Sequence, residues 1–65
     1  MTLEAVRTKY TRVSKVFGKW SAYIQIDHQG FCIIEGTTKK RANWIADMAA
    51  IAIKRLLDDN ACNKQ

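Results

Sequence analysis

Sixty-five residues, 48% hydrophobic and 26% charged, describe one small domain that is too apolar for a disordered tail. A chain of this length buries only about 60% of its unfolded surface, near the lower limit for folding alone. The formal charge of +5 is a statement about partners, and no run of about 20 apolar residues is present to span a membrane.

Residues 2–9, Thr-Leu-Glu-Ala-Val-Arg-Thr-Lys, predict one or two helical turns, with Thr2 as cap and Leu3 and Val6 on one face. Glu4, Arg7 and Lys9 interrupt any signal-peptide-like apolar core. Next comes "YTRVSKVFGKWSAYIQIDHQGFCIIEG", rich in β-branched and aromatic residues and punctuated by Gly18, Gly30 and Gly36. It divides into strands near 10–16, 19–27 and 30–35. In the middle strand Trp20, Ala22, Ile24 and Ile26 are expected inward, and Lys19, Ser21, Tyr23, Gln25 and Asp27 outward. The third strand is apolar on both faces, which leaves its register open.

From Thr38 the period changes to that of a helix. Ala42, Ile45, Ala46, Ala49, Ile53 and Leu56 fall on one stripe, the face expected to cover the sheet. Thr37 or Thr38 is the N-cap, and Asp58, Asp59 and Asn60 end the helix after Leu57. The expected fold is α+β, a three-stranded antiparallel sheet packed on one long C-terminal helix in the order β-β-β-α. Without proline, repeat or linker, the chain divides into an N-terminal segment (1–9), the β-β-β-α domain (10–58) and a polar tail (59–65).

This helix is charged the wrong way round for its own dipole. Lys39, Lys40 and Arg41 stand at its positive end and Asp58 and Asp59 at its negative end, each at a cost of roughly 0.3–1 kcal/mol before screening. One reading is a solvated surface; the other is that cations and free N–H groups converge on an external phosphate. A second oddity is Trp44, Met48 and Ile51, which fall on the side opposite the core stripe. Either the N-terminal segment folds back over them with Leu3 and Val6, or another chain does, a homodimer being the simplest case.

Catalytic chemistry has little support. Cys32 and Cys62 are far apart and read as reduced thiols of a cytoplasmic protein, and the single His28 lies in a turn without a neighbouring nucleophile. No cofactor or metal motif is visible, so the chain is not expected to be an enzyme.

Two families share such a fold. The stretch "GKWSAYIQID" resembles the second strand of the plant ethylene-response-factor DNA-binding domain, with its Gly-Lys-Trp-x-Ala-x-Ile run. "YTRV" is similar to that family's Tyr-Arg-Gly-Val opening, and "ADMAAIAIK" to its helix. The arm-binding domain of lambda-type phage integrases has the same architecture. The resemblance, over residues 10–54, implies that the sheet enters the major groove of duplex DNA. Ser21, Tyr23 and Gln25 would then meet the DNA, with Arg12 and Lys15 as base and phosphate contacts.

The stretch "EGTTKKRANWIADMAA" resembles the helix start of double-stranded RNA-binding domains, in which paired lysines and the helix N-terminus grip phosphates. That family carries a full first helix, for which the residues before Tyr10 leave little room, so duplex DNA is favoured over RNA. The expected function is a small nucleic-acid-binding protein, of the kind phages and mobile elements use as regulators. It would act through Arg12, Lys15, Lys19, Ser21, Tyr23, Gln25, Lys39, Lys40 and Arg41. The alternative is a protein-binding module, an inhibitor or accessory protein acting through Trp44, Met48 and Ile51.

Overall fold

A computed structural model describes residues 1–63, with side-chain surroundings through Asn60. The elements run α1 (Leu3–Tyr10), β1 (Thr11–Val16), β2 (Lys19–Ile26), β3 (Gln29–Thr37) and α2 (Lys39–Asn63). The three strands form one antiparallel sheet in the order β1-β2-β3. The expected α+β class, with a short helix first and a long helix last, is what the chain adopts.

Local chemistry explains most boundaries. Thr2 caps α1, its hydroxyl oxygen accepting from the Ala5 N–H at 3.1 Å. At the other end Thr11 donates its backbone N–H and its hydroxyl to the Arg7 carbonyl, so α1 passes straight into β1. Two-residue turns close both hairpins. Phe17 and Gly18 have φ of 52° and 78°, and Asp27 and His28 have 50° and 67°, the positive values that type I′ turns require. The expectation that His28 is a turn residue therefore holds.

The open register of β3 has a cause. Ala22 pairs with Ile34 but Tyr23 with Cys32, so Ile33 is an extra residue; a second shift separates Trp20↔Thr37 from Ala22↔Ile34, beside Gly36 at φ 69°. Two bulges in one strand break strict alternation, which is why its polarity pattern gave no face.

Thr38 is the N-cap of α2. Its hydroxyl accepts from the Arg41 N–H at 3.2 Å and its carbonyl from the Ala42 N–H at 2.9 Å. The helix then lies back across the sheet through Ala22, Ala42 and Ala46, with Val13, Trp20, Ile34 and Ile45 packed around them. Alanines let the helix axis approach the strands closely. Beside this contact α1 docks on the flank of α2, burying Val6 and Ala50 completely or nearly so. Arg7 fixes the docking: Nε donates to Asp47 Oδ1 at 2.8 Å, Nη1 to Thr11 Oγ1 at 2.8 Å and Nη2 to Asn43 Oδ1 at 3.1 Å.

One boundary differs from expectation. The helix does not stop at Leu57 but continues to Asn63, 25 residues or about 37 Å at 1.5 Å per residue. Most of the predicted polar tail is thus helical, while residues 64 and 65 lie outside the described residues. The Lys54 Nζ–Asp58 Oδ2 contact of 2.8 Å, one turn apart, supports the extension through the acidic residues. No helix among the described residues is long and apolar enough to cross a membrane.

Candidate nucleic-acid interface

The register sorts the predicted contact residues onto two surfaces. Directly opposed residues in antiparallel strands share a face. Trp20 and Ala22 pack against α2, so their β1 partners Lys15 and Val13 belong to the helix side. Arg12, opposite Tyr23, and Ser14, opposite Ser21, belong to the outer side. Arg12 and Lys15 are three residues apart on one strand and so project from opposite faces; the sheet surface holds Arg12 but not Lys15.

Ser21 also departs from expectation. Its strand parity is outward, yet it is only 4% exposed, because a short side chain sinks among longer neighbours. The outer face therefore offers Arg12, exposed, and Tyr23 and Gln25, each partly exposed. Inward Ile26 is 46% exposed, since it lies at the strand end, away from the alanine contact.

Lys15 instead joins a second group at the end of the molecule where the β1–β2 turn meets the start of α2. Trp20 is central to it. Lys15 pairs with Trp20 on one side, Thr37 on the other, and Lys39 Nζ stands 5.4 Å from the centre of its ring. Such a cation–ring contact is worth about 0.5–1 kcal/mol at an exposed site. Lys19 lies across Gly36, where an added Cβ would meet its Cδ at 3.9 Å. Gly18, Lys19, Trp20, Gly36, Thr37 and Lys39 line one shallow hollow, and Thr37, Thr38, Lys40, Arg41 and Trp44 line another next to it.

Five exposed cations from three elements thus share one end of the chain. Among the described residues the ion pairs are Arg7–Asp47 and Lys54–Asp58, so none of these five has a carboxylate partner. The three cations of α2 do not act as one group. Lys39 leans over Trp20, whereas Lys40 and Arg41 border the hollow beside Trp44.

Phe17 is the residue that sequence reasoning missed. It occupies the tip of the β1–β2 turn, fully exposed, in a left-handed conformation that a bulky side chain adopts at a cost. A signal was present: "FG" stands where a type I′ turn ordinarily carries Asn-Gly. Its neighbours in the chain include Lys15 and Lys19.

Trp44, Met48 and Ile51 remain 57%, 49% and 41% exposed. Of the two covers considered, α1 takes the neighbouring flank, with Val6 buried and Leu3 only bordering Ile51. At the opposite end of the molecule Lys9, Tyr10, Gln25, Asp27 and His28 line a small hollow. Among the described residues no three of His, Cys, Asp and Glu gather as metal ligands. Cys32 is a free, exposed thiol, and the Cys62 side chain lies outside the described residues.

The chain matches no protein-family model, no curated protein and no solved structure.

Proposed function

We propose that this protein binds nucleic acid, duplex DNA in preference to RNA, with its basic end against the phosphates and its outer sheet face toward the groove. The observation that carries the reading is the convergence of Lys15, Lys19, Lys39, Lys40 and Arg41, from two strands and a helix start, without carboxylate partners among the described residues. Each cation that neutralises a phosphate releases counterions, and this supplies affinity without sequence preference. Arg12, Tyr23 and Gln25 on the outer face are the groups for base edges, since arginine pairs with guanine and a neutral amide with adenine. Phe17 brings an exposed apolar ring to the same end, suited to wedge against a base step. The β1-β2-β3-α2 part of the fold has the element order implied by the ethylene-response-factor and integrase resemblances. The helix α1 ahead of it is the element that the double-stranded RNA-binding resemblance carries, so duplex RNA is the competitor that the binding experiment must include.

Charge reversal separates the two surfaces. Lys39→Glu with Lys40→Glu weakens binding uniformly on all duplexes and makes it less salt-dependent. Tyr23→Ala with Gln25→Ala changes the preference between sequences and leaves the salt dependence unchanged. Anisotropy titrations with labelled duplexes of different sequence read both effects. Unaltered binding by the Lys39/Lys40 double variant contradicts the reading, and preferential binding to duplex RNA would move it to the second resemblance.

A further inference from the structure

The exposed stripe of α2 has a second property besides being apolar. Arg41, Trp44, Met48, Ile51, Arg55 and Asp58 follow one another at spacings of three, four, three, four and three residues, the seam of a two-helix coiled coil. All six are exposed. The sheet covers the opposite side of the helix through Ala42 and Ala46, and α1 occupies one flank through Asn43, Asp47 and Ala50. The start of the chain borders the seam at two places, with Leu3 and Glu4 beside Ile51 and Met1 beside Asp58, and leaves both residues exposed.

Charge order along this seam selects its occupant. It reads positive, aromatic, apolar, apolar, positive, negative. A parallel pairing of two copies sets Arg41 against Arg41, Arg55 against Arg55 and Asp58 against Asp58. An antiparallel pairing about a two-fold axis near Ala49 and Ala50 gives three complementary layers, each occurring twice. Met48 meets Ile51 of the second copy, Trp44 meets Arg55, and Arg41 meets Asp58. The layers combine apolar packing, cation–ring contact and an ion pair. On the α1 flank the same register brings Asp47, which already accepts from Arg7, toward Lys54 of the second copy, which already bonds its own Asp58. Shifting the register by one heptad leaves charged residues facing Met48 or Ile51.

We infer that the protein forms a two-fold symmetric dimer through antiparallel packing of its α2 helices along Arg41, Trp44, Met48, Ile51, Arg55 and Asp58. The arrangement accounts for the reversed charges of α2. Its basic start and acidic end oppose their own helix dipole, but in the pair each lies beside the opposite end of the other helix. Arg41 then has a protein partner, and Lys15, Lys19 and Lys39 remain open on each copy. The inference shares Arg41 with the proposed phosphate surface, and dimerisation is therefore read in the absence of nucleic acid.

Sedimentation of the full chain over a concentration series tests it. The expected result is a monomer–dimer equilibrium that Met48→Glu shifts to monomer, weakening association at least tenfold while circular dichroism retains the helix content. Arg41→Asp and Asp58→Arg each weaken the dimer, and the double variant Arg41→Asp/Asp58→Arg restores it. That restoration is specific to antiparallel pairing, since a parallel pair again meets like with like. A wild-type chain that stays monomeric throughout the series overturns the inference. So does a dimer insensitive to Met48→Glu, or a double variant no stronger than the single ones.

Discussion

The two faces of α2 are made in opposite proportions. The face toward the sheet and α1 buries Ala42, Ala46 and Ala50 fully and Ile45 in part, while the face toward solvent carries the larger Trp44, Met48 and Ile51. The same inversion runs through the molecule. Among the described residues the buried apolar set is Val6 and four alanines, whereas Phe17, Phe31, Trp44, Met48 and Leu56 are about half or more exposed. Small residues inside buy close approach of helix to sheet, but little apolar area leaves water. A domain built this way is marginal alone and gains from covering its outer surface with a partner.

The sharpest way to break this comparison is to exchange sizes between the faces. Ala46→Leu places extra methylenes where the helix touches the strands and is expected to destabilise by about 1–3 kcal/mol, from overpacking. Met48→Ala on the solvent face should change monomer stability by no more than about 0.5 kcal/mol. Urea denaturation at low protein concentration measures both. Equal losses would mean that the solvent face is covered within the monomer.

Next in size is the flank on which α1 docks. Arg7→Ala removes three side-chain hydrogen bonds that link α1 to Thr11, Asn43 and Asp47. With the Asp47 end of that network open to water, the expected loss is about 1–2 kcal/mol, concentrated in α1. Hydrogen exchange should show faster opening of residues 3–10 while β2 is unaffected.

Phe17→Asn should act in the other direction. Asparagine tolerates the left-handed turn conformation and no buried area is lost, so stability rises by about 1 kcal/mol by thermal denaturation. The same change should weaken nucleic-acid binding. A residue that costs stability and serves no ligand would give the first result without the second.

The smallest effect concerns the helix end. The hydrogen bond from Lys54 holds the Asp58 carboxyl below the ordinary aspartate range. A carboxyl lowered in the folded state contributes stability above its unfolded value, and that contribution fades as pH falls through the lowered one. Helicity of the C-terminal turns should therefore decline only below about pH 4. Lys54→Ala should move the carboxyl titration upward, as read by NMR.

How far the residues alone carried the fold depends on how local each feature is. Thr2 was readable as a cap, and the cap of α2 as Thr37 or Thr38, because capping is decided within four residues; the choice of Thr38 came from the structure. The strand pattern of β2 was readable because its alternation is unbroken from Trp20 to Ile26. The continuation of α2 past Leu57 was not, since Asp58-Asp59-Asn60 resembles a stop and the Lys54–Asp58 contact that offsets it depends on the helix already existing. Arg12 and Lys15, three apart on one strand, could not share a face by the strand's own period, and which of them faces outward came from the register between β1 and β2. The burial of Ser21 depends on neighbours from other strands, which no single segment specifies. Of the candidate site, the cations were visible as a list, but their division between Trp20 and the Trp44 side came only from the fold.

The central claim is that the basic end engages phosphates, and the salt dependence of duplex binding tests it most directly. Titrating a labelled DNA duplex with the wild-type protein at several salt concentrations should give a plot of log affinity against log salt with a slope of about −3 to −5, as for four or five neutralised phosphates. Absence of binding at low salt, or affinity that does not change with salt, would contradict it.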